Sequence, residues 1–138
     1  MQARVTGLNH MTLAVADIER SLTFYRDLLG FSVRAVWPNG AYLEAGSLWL
    51  CLSRDSEATT SPSPNYTHLA FSVSEAGYAD LSERVLAACV VWKDDESEGA
   101  STYFLDPDGH QLEIHIGSLE TRLAHYRQSP SKGVMIFD

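Results

Sequence analysis

Two short stretches constrain this chain more than anything else in it, because they are one pattern written twice. Asn9-His10-Met11-Thr12-Leu13-Ala14-Val15 and Thr67-His68-Leu69-Ala70-Phe71-Ser72-Val73 each place a histidine near the start of an apolar run. An acidic residue follows each run, Asp17 or Glu75, and then a helix-like segment. The offset that aligns His10 with His68 also aligns Val15 with Val73, Asp17 with Glu75 and Leu28 with Leu86. A repeat of this size reads as one β-α-β-β-β unit made twice. One such sheet with its helix on one side leaves the other face to be covered, and two sheets around a common pocket cover it. The expected fold class is therefore α+β, with two β-α-β-β-β modules related by a pseudo-twofold.

At 138 residues, the chain is long enough for one domain, 1–138. A hydrophobic fraction of 45% with 20% charged residues is ordinary for a globular protein. No run approaches the roughly 18 apolar residues of a membrane span. Met1-Gln2-Ala3-Arg4 has no apolar stretch of the signal-peptide kind behind it. The expectation is a cytoplasmic protein without a membrane partner. A formal charge of −8 argues against a nucleic-acid surface, which needs a basic stripe to displace counterions. It also means that an anionic substrate must be held by a few local cations. With only Cys51 and Cys89 and no export signal, a stabilising disulfide is not expected.

In chain order, 8–15 reads as a strand that puts His10 and Thr12 on one face. Asp17 caps a helix carrying Ile18, Leu22, Tyr25 and Leu29, which Gly30 stops. Phe31–Trp37 reads as a strand, and 41–45 with 48–53 as a hairpin. Module one thus spans about 5–53, and the polar, Pro/Ser/Thr-rich stretch 54–66 is a linker. Module two spans about 67–116: a strand at 67–73, a Ser74-capped helix with Tyr78, Leu81, Val85 and Leu86, a strand at Val90–Lys93, a loop at 94–99, and a hairpin. The hairpin pairs Ser101–Leu105 with Gln111–Ile116 around Asp106-Pro107-Asp108-Gly109. Ser118 caps a last helix at about 118–128.

His10, His68 and Glu113 each fall on an expected strand. Two imidazoles and one carboxylate suit a divalent first-row metal and leave positions open for substrate. His115 shares a face with Glu113 and is a candidate outer partner, whereas His110 and His125 are expected at the surface. Cys51, at the matching place in module one, reads as a fourth ligand or, better, as a small buried filler. Ser97, Glu98, Gly99 and Ser101 form a loop able to hold a monovalent cation or an anionic group. Lys93 and Arg122 are either anion clamps or surface residues.

With these residues assembled, the chain is identified as a member of the vicinal oxygen chelate superfamily, and it most resembles the manganese-dependent fosfomycin-resistance glutathione transferases. The stretches that carry the likeness are 7–15, 40–44, 48–53, Tyr66-Thr67-His68, Ser97-Glu98-Gly99 and 103–110. The resemblance implies a domain-swapped homodimer of glyoxalase/bleomycin-resistance/dioxygenase-like modules. It implies Mn(II) held by His10 and Glu113 of one chain with His68 of the other. Thr12, Lys93, Ser97, Tyr103 and Arg122 match positions that contact the phosphonate of fosfomycin. Ser97, Glu98, Gly99 and Ser101 fall in a loop that cradles K⁺, and Trp37, Tyr42, Trp49 and Tyr66 would line the pocket. The implied reaction is attack of glutathione on the epoxide carbon. The chain departs from that pattern at Leu69, Asp95, Glu96 and Ser131, the last two towards the thiol side. Three other readings stand beside it: a related enzyme using another thiol or electrophile, a hydrolase with Glu44 as base, or a metal-free drug-sequestering protein.

Overall fold

Seven strands and three α-helices lie along residues 2–94 and 98–138, which the computed structural model describes. They fall into two units: the N-terminal part as far as Pro62 together with Asp106–His110, and Ser63–Leu105 together with Gln111–Asp138.

In the first unit, β1 (Met11–Val15), α1 (Ile18–Leu22), β2 (Ser32–Trp37), β3 (Gly40–Ala45) and β4 (Leu48–Arg54) follow one another. The sheet order is β1-β4-β3-β2, with β1 parallel to β4 and the other pairs antiparallel. A parallel pair needs a crossover, and α1 begins it. Asp17 opens α1 by accepting the Arg20 N–H at 3.0 Å. Strand alternation sorts the side chains. Leu13, Val15, Ala41, Leu43, Leu50 and Leu52 are buried, as are Ile18, Leu22, Phe24 and Tyr25 of the crossover. Thr12, Tyr42, Glu44 and Trp49 alternate with them and remain exposed.

The helix expected to run to Leu29 stays α-helical only as far as Leu22. Thr23–Leu28 continue it as a π-helical turn, with the Leu29 N–H bonded to the Phe24 carbonyl at 3.1 Å. Within this turn Tyr25 is fully buried, its ring meeting Phe24 and Phe31 edge-on at 4.9 and 5.7 Å. Its hydroxyl donates to Asp106 Oδ2 at 2.7 Å. A buried phenol needs a partner, and apolar spacing does not encode that need.

Residues Asp106–His110 are a hub of this unit. Asp106 Oδ1 accepts the N–H groups of Asp108 and His110 at 2.8 and 2.9 Å. Asp108 Oδ1 accepts Arg20 Nη2 at 2.8 Å and the Ala16 N–H at 2.9 Å. His110, expected at the surface, is instead half-buried and donates from Nε2 to the Ala14 carbonyl at 2.7 Å. Gly109 has φ +83°, and a Cβ there would come within 2.6 Å of the Ser61 carbonyl oxygen.

The second unit holds β5 (Leu69–Ser72), α2 (Glu75–Ala88), β6 (Ala100–Leu105), β7 (Gln111–Ile116) and α3 (Leu119–Gln128). Its sheet order is β5-β7-β6, with β5 parallel and β6 antiparallel to β7. Ser74 caps α2 through the Gly77 N–H, and Ser118 with Thr121 forms a capping box on α3. Phe104, Leu112, Ile114 and Val85 are buried. The buried Thr102 hydroxyl is satisfied by Tyr78 and Ser82 of α2, both at 2.7 Å. The strand expected at Val90–Lys93 is not one: the Val90 carbonyl accepts the Leu105 N–H at 2.9 Å, but no ladder forms. Val90 and Val91 are exposed, so β-branched content there is not backed by burial. No described helix is long and apolar enough to cross a membrane.

Burial pushes the Asp106 carboxyl above the usual carboxylate range, while the Tyr25 hydroxyl and the two N–H groups pull it back. The part of its stability tied to the neutral acid is present below its unfolded pKa and is lost as pH rises through the folded one. Tyr25→Phe removes a donor that favours the ionised form. It should cost about 1–3 kcal/mol near neutral pH and less near pH ~3, where Asp106 is protonated in both states. Urea titrations at the two pH values test this through a midpoint shift at unchanged slope.

Candidate metal centre

The second unit builds its site on one sheet face. β5 pairs with β7 so that Ala70 lies opposite Glu113, and Tyr103 of β6 lies opposite Glu113 on the other side. His68, just before β5, is thereby brought to the Glu113 carboxylate, with Nε2 3.1 Å from Oε1. His68 Nδ1 lies 3.0 Å from the Tyr66 carbonyl oxygen, which can only accept, so Nδ1 carries a ring proton and Nε2 is the nitrogen turned to the carboxylate. A lone pair and a carboxylate oxygen at that distance repel unless a proton or a metal cation stands between them. An imidazolium would satisfy the pair with one bond, whereas a divalent cation takes both atoms as ligands. The residues present therefore fit a metal.

The rest of Glu113 is held as a ligand would be. It is only 5% exposed, and its Oε2 accepts Ser101 Oγ at 2.6 Å. The Ser101 oxygen in turn lies 2.8 Å from His115 Nδ1, which places His115 as the outer partner that period-two spacing suggested. Lys93 bonds the Tyr66 hydroxyl, and its ammonium lies over the Tyr66 and Tyr103 rings at 4.7 and 4.8 Å. Arg122 Nε lies 3.5 Å from Glu98 Oε1, which also accepts Thr121 Oγ1 at 3.2 Å. Gly99 adopts φ +83° with its missing Cβ aimed at the Ile116 carbonyl, so only glycine fits there. Ser97 lies outside the described residues.

The first unit carries its polar face separately. His10 Nδ1 is 2.7 Å from Asn9 Oδ1, and its ring packs on Trp49 at 4.5 Å. Trp37, Tyr42 and Trp49 form an edge-to-face row at 4.8 and 5.3 Å, all partly exposed. Thr12 lies opposite Cys51, which is a buried free thiol, in line with the filler reading. Glu44 is bound to Arg34 Nη1 at 2.8 Å. Among the described residues, no three His, Cys, Asp or Glu side chains of one chain form a metal-holding group.

A profile of the Glyoxalase/Bleomycin resistance protein/Dioxygenase superfamily matches residues 7–114. The chain belongs to that superfamily. It is similar to the glutathione transferase FosA of Serratia marcescens, with 51% identity over 132 residues covering 94% of each chain. It is 36% identical over 130 residues to the metallothiol transferase FosB of Staphylococcus epidermidis, covering 91% of this chain and 94% of FosB. Among solved structures, the fosfomycin resistance protein FosX of Listeria monocytogenes with Mn(II) and a sulfate ion superposes at a TM-score of 0.77. The identity is 27%, over 89% of this chain and 99% of FosX. A FosX variant complexed with Mn(II) and 1S,2S-dihydroxypropylphosphonic acid also superposes at 0.77, with 26% identity over the same shares.

Membership in the glyoxalase superfamily settles the fold class. The resemblance sets Glu113 beside His10 of its own chain, with His68 supplied by another. His68 and Glu113 meet within one chain, because β5 and β7 are hydrogen-bonded neighbours of one sheet. Sequence reasoning also missed Trp92. Its indole lies 5.4 Å from the His68 ring and 5.3 Å from that of Tyr103, and its Nε1 donates to the Leu112 carbonyl at 2.9 Å. The signal was present as a tryptophan beside Lys93, but it was absorbed into an expected strand.

Ser101→Ala removes the donor that aims Glu113 and should weaken binding of Mn(II) by about 10–100-fold. Glu113→Gln should abolish it. Electron paramagnetic resonance of free Mn(II) in a titration measures both.

Proposed function

We propose that this chain is a fosfomycin-modifying thiol transferase that opens the epoxide with glutathione. In this reading a homodimer forms each site from His68 and Glu113 of one copy and His10 of the other, holding Mn(II). The observation that carries it is His68 Nε2 facing Glu113 Oε1 at 3.1 Å on a face lined by Ser101, Tyr103 and Lys93. The resemblance to FosA over nearly the whole of both chains supports the substrate and the thiol.

A divalent metal held by His68, Glu113 and His10 would supply Lewis acidity for opening the oxirane. Thr12, two residues beyond His10 on the same strand face, offers its hydroxyl to that oxygen. Lys93, with Tyr103 and Arg122, provides the positive charge and donors for a phosphonate in a chain otherwise rich in acids. Ser97 has the same role in this reading. Trp37, Tyr42, Trp49 and Tyr66 supply apolar walls that exclude water around the reacting carbon. The thiolate of glutathione attacks that carbon, so the protein provides no nucleophile of its own. K⁺ is the proposed activator, held by the loop of Ser97, Glu98, Gly99 and Ser101. Glu98 Oε1 accepts Thr121 Oγ1 and the Ser101 hydroxyl donates to Glu113, so the Ser101 oxygen keeps a lone pair on this loop. Opening by water would take Glu44 as base; its Oε1 is ion-paired with Arg34 Nη1 at 2.8 Å, which favours the ionised form but also makes it a weaker base.

Incubation of protein, fosfomycin, glutathione and Mn(II), with and without K⁺, should yield the glutathione adduct by mass spectrometry, faster with K⁺. Consumption to the diol alone, or no consumption, overturns the transferase reading. Subunit mixing tests the shared site. His10→Ala and Glu113→Ala are each expected to be inactive, and their mixture should recover activity because one site per heterodimer is intact. A mixture of His68→Ala with Glu113→Ala should stay inactive.

A further inference from the structure

Trp92 touches the aromatic groups around the His68–Glu113 pair, and the proposed reaction gives it no task. Its indole meets the His68 ring at 5.4 Å, Tyr103 at 5.3 Å and Tyr66 at 5.8 Å, at interplanar angles between 53° and 82°. These separations and tilts are those of attractive edge contacts. The indole is itself anchored, since Nε1 donates at 2.9 Å to the carbonyl of Leu112, the residue directly before Glu113. One side chain thus registers on the backbone of the carboxylate strand and presents its ring to the imidazole.

We propose that Trp92 is a positioning residue that sets the orientation of the His68 imidazole and the Tyr103 phenol relative to Glu113. The contacts of His68 Nδ1 with the Tyr66 carbonyl and of Nε2 with Glu113 Oε1 hold the ring at two points in its plane, and neither fixes its tilt about the line that joins them. The indole limits that tilt by packing against the imidazole at 5.4 Å with an interplanar angle of 53°. Tyr66 packs on His68 from 5.0 Å and Tyr103 from 6.1 Å, so removal of the indole loosens both neighbours as well. A ligand displaced by a fraction of an ångström binds its metal less well. The inference rests on the metal reading of this site, yet the ring orientation it concerns is a property of the metal-free chain.

Two variants of the full-length protein separate the wall from the anchor. Trp92→Phe keeps an aromatic wall but has no N–H for Leu112, and Trp92→Ala has neither. In metal-free protein, long-range ¹H–¹⁵N spectra of the imidazoles should give one sharp Nδ1-protonated His68 in the parent, with exchange broadening or mixed tautomers in Trp92→Ala. With Mn(II) added, Trp92→Ala should bind at least about tenfold more weakly, and Trp92→Phe should recover most of the loss. Far-ultraviolet circular dichroism and the urea midpoint report whether each variant folds. Folded Trp92→Ala with the parent's His68 signals and Mn(II) affinity overturns the proposal. Failure of the parent itself to bind Mn(II) would overturn the metal reading, while the metal-free spectra would still decide the role of Trp92.

Discussion

The parallel pairing of β5 with β7 is the constraint on which this site depends. Parallel neighbours in one sheet bring together residues far apart in sequence, here His68 and Glu113, without a loop having to fold back precisely enough to do it. His68 Nε2 and Glu113 Oε1 are then held 3.1 Å apart on a scaffold of backbone hydrogen bonds, near enough for one proton or one cation to serve both. A pair of ligands placed by a sheet ladder is organised before its ion arrives.

Both units solve the same problem in the same way. Each has a sheet whose one set of alternating side chains is buried with the apolar residues of its helix, while the other set is polar and aromatic. In the first unit that second set is His10, Thr12, Tyr42 and Trp49; in the second it is Glu113, Tyr103, Ser101 and His115. Strand alternation therefore fixes the fold and the site together. A one-residue slip in either sheet would exchange core for chemistry.

Much of this was legible in the amino-acid order, and the reasons are physical. The histidine strands announce themselves because period-two burial forces His10 and Thr12, or Glu113 and His115, to share a face. Caps at Asp17, Ser74 and Ser118 are local, and local signals read well. The features that were not legible depend on partners distant in the chain. Nothing near Tyr25 says that Asp106 will accept its hydroxyl, or that the helix will widen around it. His110 looks like a turn residue until Ala14 is found beside it. Val90-Val91-Trp92 has the composition of a strand, but the tryptophan is spent on the Leu112 carbonyl and the valines face water. The meeting of His68 with Glu113 in one chain comes from sheet order, which spacing alone does not determine.

The widened turn at Thr23–Leu28 bears on how this chain can vary in length. A π-helical turn holds one residue more than an α-helix of the same rise, so a single deletion there could restore regular α-helical bonding. Each residue of an α-helix turns the chain by about 100°, so the same deletion would rotate the segment beyond it away from its present direction. Tyr25 sits inside that turn and is tied to Asp106. Deletions on the N-terminal side of Tyr25 and those on its C-terminal side are therefore inequivalent, one swinging the phenol off its partner and the other swinging Phe31 off the phenol. The surplus residue is thus locked in from both sides, by Asp106 through the phenol and by Phe31 against its ring.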